Sequence, residues 1–337
     1  MKERKFREHE QDRRILAALT RNARITNRDL AKELDIPEHV ASDRLRVLQS
    51  NGIVGTTVLV DYAAFGYSPF LNLQLAVEPG RFDEAASFLT EIESIVTLYS
   101  WGRFADHQFG LHVVARTLVQ AQSLLADQIG RCPGMTRCDV HVMTGATNYN
   151  PPIVVSGVRA GPGPVIEPHD NVDELDVSII ECLRNEGRKP YLTIADDLGV
   201  VEGTVRRRVV RMVEERIIRF APVVSGQSLM PRSLPIVVWI DVDPEHIEAA
   251  SKVLQGAPYV AGLQRLLGPR GNLLTTVSID EQQAEQALSE LAVKVPGLRK
   301  IFVEPVKRVF KFSDTWRDLA SVQPLPIDIW APDASTE

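Results

Sequence analysis

The chain carries one pattern twice. Aligned without a gap at an offset of 164, residues 12–54 and 176–218 share hydrophobic spacing and the identities Ile15/Ile179, Leu19/Leu183, Arg24/Arg188, Ala31/Ala195, Leu34/Leu198, Arg44/Arg208 and Ile53/Ile217. An internal duplication of this kind restricts the fold to two similar units in series, each with its own small core. With 337 residues, the chain is also longer than one hydrophobic core usually organises.

Each copy opens as three short helices. In the first, Ile15, Leu16 and Leu19, then Leu30, Ala31 and Leu34, then Ala41, Leu45 and Leu48 form three apolar stripes at helical spacing. Thr26 is placed to cap the second helix with Asp29 three residues on, and Asp35 with Pro37 marks the turn into the third. The second copy repeats this with Ile194, Ala195 and Leu198, then Gly199, then Val205, Val209 and Met212. A short turn between the last two helices predicts a helix-turn-helix. After each module the period changes from 3.6 to 2, at 53–60 and 217–224. Both halves then read strand, helix, strand, strand, helix, strand: 70–77 to 136–144 in the first and 235–242 to 299–306 in the second. The expected class is α+β, two tandem units each of a (winged) helix-turn-helix followed by a ferredoxin-like βαββαβ domain. The units are 8–60 with 68–145, a Pro/Gly-rich linker at 146–172, 173–224 with 234–311, and an irregular tail at 312–337. Such a sheet has helices on one face only, so its other face needs cover, and a second sheet supplies it most simply.

Composition narrows the function classes. No apolar run approaches the ~18 residues of a membrane span, and the charged N-terminal stretch is not followed by a signal-type apolar region, so a cytoplasmic location is expected. Cys132, Cys138 and Cys182 form no CxxC pair, and no metal site or cofactor is expected. The sequence has no P-loop, HExxH or G-x-S-x-G motif. His107 and His112, five apart, are expected on opposite strand faces, which argues against a shared metal site with His141. The net charge is -6, yet residues 1–55 hold 12 Lys/Arg against 9 Asp/Glu, and arginines crowd the last third of the second module. A basic stripe on the third helix of each module points to double-stranded DNA.

The order helix-turn-helix then βαββαβ resembles the Lrp/AsnC (leucine-responsive regulatory protein) family of transcription factors, here in tandem. The resemblance rests on D-x-x-I-L-x-x-L openings, present at 12–19 and, with Ile180 for the first leucine, at 176–183. It also rests on arginine-rich third helices running into Gly52-Ile53-Val54 and Arg216-Ile217-Ile218. It implies a third helix that enters the major groove, and an α+β domain that binds a small effector such as an amino acid and assembles homo-oligomers. The implied DNA contacts are His39, Ser42, Arg44 and Arg46 in the first module, and Thr204, Arg206, Arg207, Arg208 and Arg211 in the second. Arg44 and Arg208, at matched positions, fit either a phosphate contact or a helix-packing ion pair. The family's effector loop carries Gly followed closely by Asp. That pattern implicates Gly102, Arg103 and Asp106, with Gly268, Arg270 and Asn272 in the second copy, where Asn272 is taken as the counterpart of Asp106.

Two other readings share these features. Tetrapyrrole (siroheme) decarboxylases resemble the same tandem unit, although 101–107 lacks the His-Asn-Tyr type sequence expected of them. A ligand-sensing scaffold that has lost DNA binding is the other, favoured by Glu38 and Asp43 on the first recognition helix.

Overall fold

The duplication is visible in the backbone. The computed structural model describes residues 10–51, 53–68, 70–150, 153–155, 167–225, 233–257, 260–312, 315–316 and 323–324. The first module is α1 (Glu10–Arg21), α2 (Asn27–Leu34), α3 (Glu38–Ser50) and β1 (Val54–Asp61). Its α+β domain runs β2 (Phe70–Val77), α4 (Phe82–Thr90), β3 (Ile95–Ser100), β4 (Phe109–Val114), α5 (Leu118–Ser123) and β5 (Met135–Asn150), followed by β6 (Ile153–Val155). The second module is α6 (Glu174–Asn185), α7 (Tyr191–Leu198), α8 (Glu202–Glu214) and β7 (Ile218–Ser225). Its domain runs β8 (Ser233–Val242), α9 (Ile247–Gln255), β9 (Val260–Leu267), β10 (Leu273–Asp280), α10 (Glu281–Lys294) and β11 (Leu298–Pro305). Then come β12 (Arg308–Phe312), β13 (Thr315–Trp316) and β14 (Gln323–Pro324).

Local chemistry explains the module boundaries. Thr26 Oγ1 accepts from Asp29 N at 3.1 Å and donates to the Asp29 carboxylate at 2.7 Å, capping α2. Both α2 and α7 end on a left-handed residue, Asp35 at φ 55° and Gly199 at φ 66°, which turns the chain into the recognition helix.

The two modules dock on each other about a pseudo-twofold axis. Strands β1 and β7 pair antiparallel with Val54 opposite Val224 and Val60 opposite Ile218, so each residue meets the repeat-equivalent of its mirror position. The repeated arginines complete the symmetry. Arg24 donates to Lys189 O at 3.1 Å, while Arg188 donates to Ile25 O at 2.7 Å and Ala23 O at 3.0 Å. Burial lowers the pKa of both guanidinium groups, and Arg24 stacks on Tyr191 and Phe220.

The α+β domains are joined even more closely. One sheet runs in the order β11, β8, β10, β9, β5, β2, β4, β3, β12. Its end strands, β11 and β12, are separated in sequence only by Val306 and Lys307. That link spans at most roughly 11 Å, so the sheet closes on itself as a barrel. Reciprocal exchange does this. The first part of β5 pairs with β2 of its own domain and the rest with β9 of the other, while β11 pairs with β8 and β12 crosses to β3. The face left bare by each set of helices is therefore covered by the other half of the same chain.

Two expectations need correction here. The stretch expected as a linker begins with strand: β5 continues to Asn150, and β6 pairs with β7. The tail expected to be irregular begins with the end of β12, and its β13 and β14 pair with β1 and β5. Residues 156–166 and 325–337, with Trp330, lie outside the described residues.

Outside the barrel, α4 and α5 cover Leu71, Leu73 and Leu75, and α9 and α10 cover Ile236, Val238 and Ile240. Inside, Tyr99, Trp101, Met143, Trp239, Leu266 and Leu274 form a core continuous with that of the second module through Tyr62 and Phe65. The first module keeps a separate core of its own. Lys311 fastens β12, donating from a buried ammonium to Thr90 O and Ile92 O at the end of α4; burial lowers its pKa to about 8. Truncation after Lys307 removes this fastening and bares the β3 edge. We expect the shortened chain to aggregate and to lose its cooperative melt, as read by size-exclusion chromatography and calorimetry. An unchanged melting temperature would contradict closure.

Candidate nucleic-acid interface and ligand site

Each recognition helix has a buried, a bracing and an exposed set of residues. On α3, Ala41, Leu45 and Leu48 are buried. Arg44 is turned inward onto Asp12 of α1, with Nε 3.0 Å from Oδ1. Asp12 is 1% exposed, so this arginine compensates a buried carboxylate. The second module repeats the brace with an extra arm: Arg208 reaches Asp173 at 2.6 Å and Asp176 at 3.0 Å, and Arg211 also bonds Asp176, which is fully buried. Of the alternatives open for Arg44 and Arg208, the structure selects the helix-packing ion pair. Arg211 is likewise engaged with its own module rather than open to phosphate.

The remaining candidates lie on the outer surface. His39 and Arg46 are exposed and Ser42 is half-buried, accepting from Asn27 Nδ2 at 3.2 Å; Arg46 pairs with Asp43 at 2.9 Å. On α8, Thr204 is half-buried and Arg206 and Arg207 are exposed. Arg206 pairs with Glu202 at 2.6 Å and leans over Tyr191, whereas Arg207 has no ion-pair partner among the described residues.

A second cluster fills the barrel interior and its mouth. The loops 102–108 and 268–272 meet there, because Arg270 donates to Gln74, to His107 Nδ1 at 3.2 Å and to Glu304 at 2.6 Å. A guanidinium only donates, so His107 accepts at Nδ1 and carries its proton on Nε2, toward Asp139 at 3.0 Å. Trp239 Nε1 donates to the other oxygen of Glu304 at 3.0 Å. Burial raises the Glu304 pKa against the opposing pull of Arg270. Deeper inside, Asn72 Nδ2 donates to Gln264 at 3.2 Å, and His112 stands 3.4 Å from the same amide. His141 accepts from Arg270 N at 3.1 Å. A Cβ on Gly268 would stand 2.2 Å from the His141 ring, so a glycine is what lets the second loop close over it. Asn72 Oδ1 and Gln74 Nε2 are buried without a partner among the described residues.

The expected loop residues divide accordingly. Arg270 is central, and Asp106 is exposed but close enough to influence Glu304. Gly102 takes φ 114° at the loop's start. Arg103 turns away to Pro79 O and Asp83, and Asn272 clamps the Val242 backbone. The equivalence of Asn272 with Asp106 is corrected. Gln108 holds Val77 N as Asn272 holds Val242 N, and each loop closes with the same backbone bond, Trp101 N to Gln108 O and Leu266 N to Asn272 O. The position of Asp106 at an offset of 164 is taken by Arg270, a reversal of charge. The three histidines also depart from expectation, since all reach this one interior network. His107 precedes β4, where strand alternation does not apply. No group of three or more His, Cys, Asp or Glu among the described residues could hold a metal ion. Gln74, Gln264 and Glu304 escaped notice in the sequence, although a polar residue within an apolar strand is the signal that marks each of them.

The comparisons agree with this geometry. A winged helix-turn-helix DNA-binding model matches residues 8–54, and an AsnC-type helix-turn-helix domain model matches 172–213. The HTH-type transcriptional regulator LrpA of Pyrococcus horikoshii is 29% identical over 129 residues, 38% of this chain and 90% of that protein. In its helix-turn-helix modules and in these relatives the chain resembles the Lrp/AsnC family. An uncharacterized HTH-type transcriptional regulator of Pyrococcus abyssi is 27% identical over 128 residues, 38% of this chain and 81% of that protein. Each of these relatives thus corresponds in length to about one of the two units. Over the whole length, the fold is shared with the siroheme decarboxylase NirDL, solved in co-complex with an iron-uroporphyrin III analogue: TM-score 0.62, 16% identity, covering 90% of this chain and 93% of that one. No helix among the described residues is long and apolar enough to cross a membrane.

Two outcomes test these assignments. Arg44→Ala strands the Asp12 carboxylate in the module core, at a cost of about 3 kcal/mol, whereas Arg46→Ala, at a side chain 71% exposed, should change stability by less than about 0.5 kcal/mol. Urea titration of the two variants distinguishes a brace from a surface residue. Burial also lowers His112 and His141 to about 4. The unfolded chain then binds more protons between about pH 6.5 and 4, so stability falls with pH through that window, by about 1.4 kcal/mol per pH unit for each histidine. Unfolding curves at pH 7, 6 and 5 should show the decline, and His112→Gln/His141→Gln should flatten it.

Proposed function

We propose that this chain is a DNA-binding transcriptional regulator that carries both halves of its dimer in one polypeptide and responds to a small effector held at the barrel mouth. The observation that carries the reading is the outer face of α8, where Thr204, Arg206 and Arg207 lie on the helix that a helix-turn-helix presents to the major groove. Arginine offers paired donors to guanine, and threonine accepts or donates as its hydroxyl turns. The β1–β7 pair and the reciprocal arginines hold the two modules at a fixed spacing, and their non-identical recognition helices suit a site whose halves differ. The effector reading draws support from Arg270, Glu304, Asp106 and the amide atoms of Asn72 and Gln74 that have no partner among the described residues, which offer charge of both signs and hydrogen-bonding groups, as an amino acid requires. Because closure takes up the strand edges along the sheet path, further association of whole chains would use helix faces.

A selection from genomic fragments tests the DNA reading. Saturable retention of a few fragments, weakened by salt and by Arg206→Ala/Arg207→Ala, is expected. Retention of none at low salt by folded protein would overturn it. An amino-acid panel in thermal-shift assays should raise the melting temperature for a small subset, and Arg270→Gln should abolish that shift.

A second reading, an enzyme acting on a tetrapyrrole, has the whole-length likeness to NirDL and the histidine-containing interior in its favour. Titration with an iron tetrapyrrole reads it directly. A saturable Soret shift lost in His112→Gln/His141→Gln would favour it, and its absence leaves the regulator.

A further inference from the structure

Among the described residues, the two modules place their unpaired cations on different helices. On α2, Arg28 and Lys32 lie one turn apart, and both are exposed without an ion-pair partner among the described residues. Their side of the helix is fixed by two contacts. Asn27 bonds Ser42 of α3, while Glu33 is drawn toward Arg21 of α1. At 100° per residue, Arg28 and Lys32 therefore fall on the outward side of α2, away from the buried stripe of Leu30, Ala31 and Leu34, with Arg28 nearer the Asn27 flank and Lys32 nearer Glu33. The second module has Leu192 and Asp196 at these positions. On the recognition helices the pattern inverts. His39, Ser42, Asp43 and Arg46 of the first module stand where the second has Gly203, Arg206, Arg207 and Val210. Arg46 is engaged by Asp43, so the exposed face of α3 offers little free positive charge. By contrast, α8 offers an exposed Arg207 with no ion-pair partner among the described residues, beside the exposed, apolar Val210. Arg44, Arg208 and Arg211 do not alter this contrast, being held by buried carboxylates.

We infer a division of labour between the modules: the second reads base edges through Arg207 and Val210, and the first grips phosphates through Arg28 and Lys32 without reading sequence. The inference rests on the DNA-binding reading above. In a helix-turn-helix, the helix before the recognition helix crosses the sugar-phosphate backbone, which is where two unpaired cations one turn apart meet successive phosphates. On the recognition helix, a carboxylate at the position of Asp43 repels phosphate. A free guanidinium at the equivalent Arg207 can reach guanine O6 and N7, and Val210 suits a thymine methyl group. The operator then has one sequence-defined half and one half defined by backbone geometry alone.

Affinity for a fragment retained from the genomic pool, and for a random duplex of equal length, is measured across a salt series for the full chain and two variants. For Arg207→Ala, preference for the retained fragment should drop by about tenfold or more, while both duplexes keep most of their salt dependence. For Arg28→Ala/Lys32→Ala, both duplexes should weaken to the same degree, and the slope of log K against log salt should become shallower by roughly two. Loss of preference from the α2 variant with an unchanged slope, or uniform weakening from the Arg207 variant, would overturn the division while leaving DNA binding in place. No binding of either duplex by the unmodified chain would instead remove the DNA reading itself, and this inference with it.

Discussion

A four-stranded sheet with both helices on one side has two edges and one bare face to hide, and the reciprocal crossing of β5 and β12 hides them together. Every other arrangement in the molecule follows from that closure. It sets one half against the other about a pseudo-twofold axis, so β1 and β7 meet in self-complementary register and Arg24 and Arg188 each reach backbone carbonyls of the opposite module. It also creates an interior that neither half possesses alone, where Arg270 of one domain supports His107 and Gln74 of the other.

The symmetry is incomplete where function would need it to be. The second module shares a continuous apolar core with the barrel through Tyr62 and Phe65, while the first packs its own separate core. A change in the barrel interior therefore has a direct route of packed side chains to α8 but must pass through the β1–β7 pair and the clamp of Arg24 and Arg188 to reach α3. Contiguity of packing is a physical path for coupling, and here it favours one module.

Much of this was legible in the sequence. The duplication, the helix-turn-helix units and the βαββαβ order are all local patterns, fixed by apolar period and by caps such as Thr26. The closure was not, because pairing between β3 and β12 joins residues some two hundred positions apart and leaves no periodic trace. The roles of Arg44 and Arg208 were half visible: Asp12 and Asp176 are identical in both copies too, and matched opposite charges at two repeat positions are the trace of a brace. The counterpart of Asp106 was misplaced by matching Gly102 to Gly268, whereas the repeat offset of 164 and the equivalent bonds of Gln108 and Asn272 put Arg270 at that position. The strand face expected for His107 does not exist, because the residue precedes β4 and lies outside any strand.

Joining the two halves in one chain has an evolutionary consequence. In an assembly of identical subunits every substitution is made twice, so a residue that improves one half-site contact is imposed on the other as well. Here Arg24 and Arg188 can stay matched while Asp43 and Arg207 diverge, because each position is encoded separately. The covalent pseudo-dimer thus keeps the geometry of a twofold while freeing its two surfaces to specialise, a combination closed to a homodimer by its own symmetry.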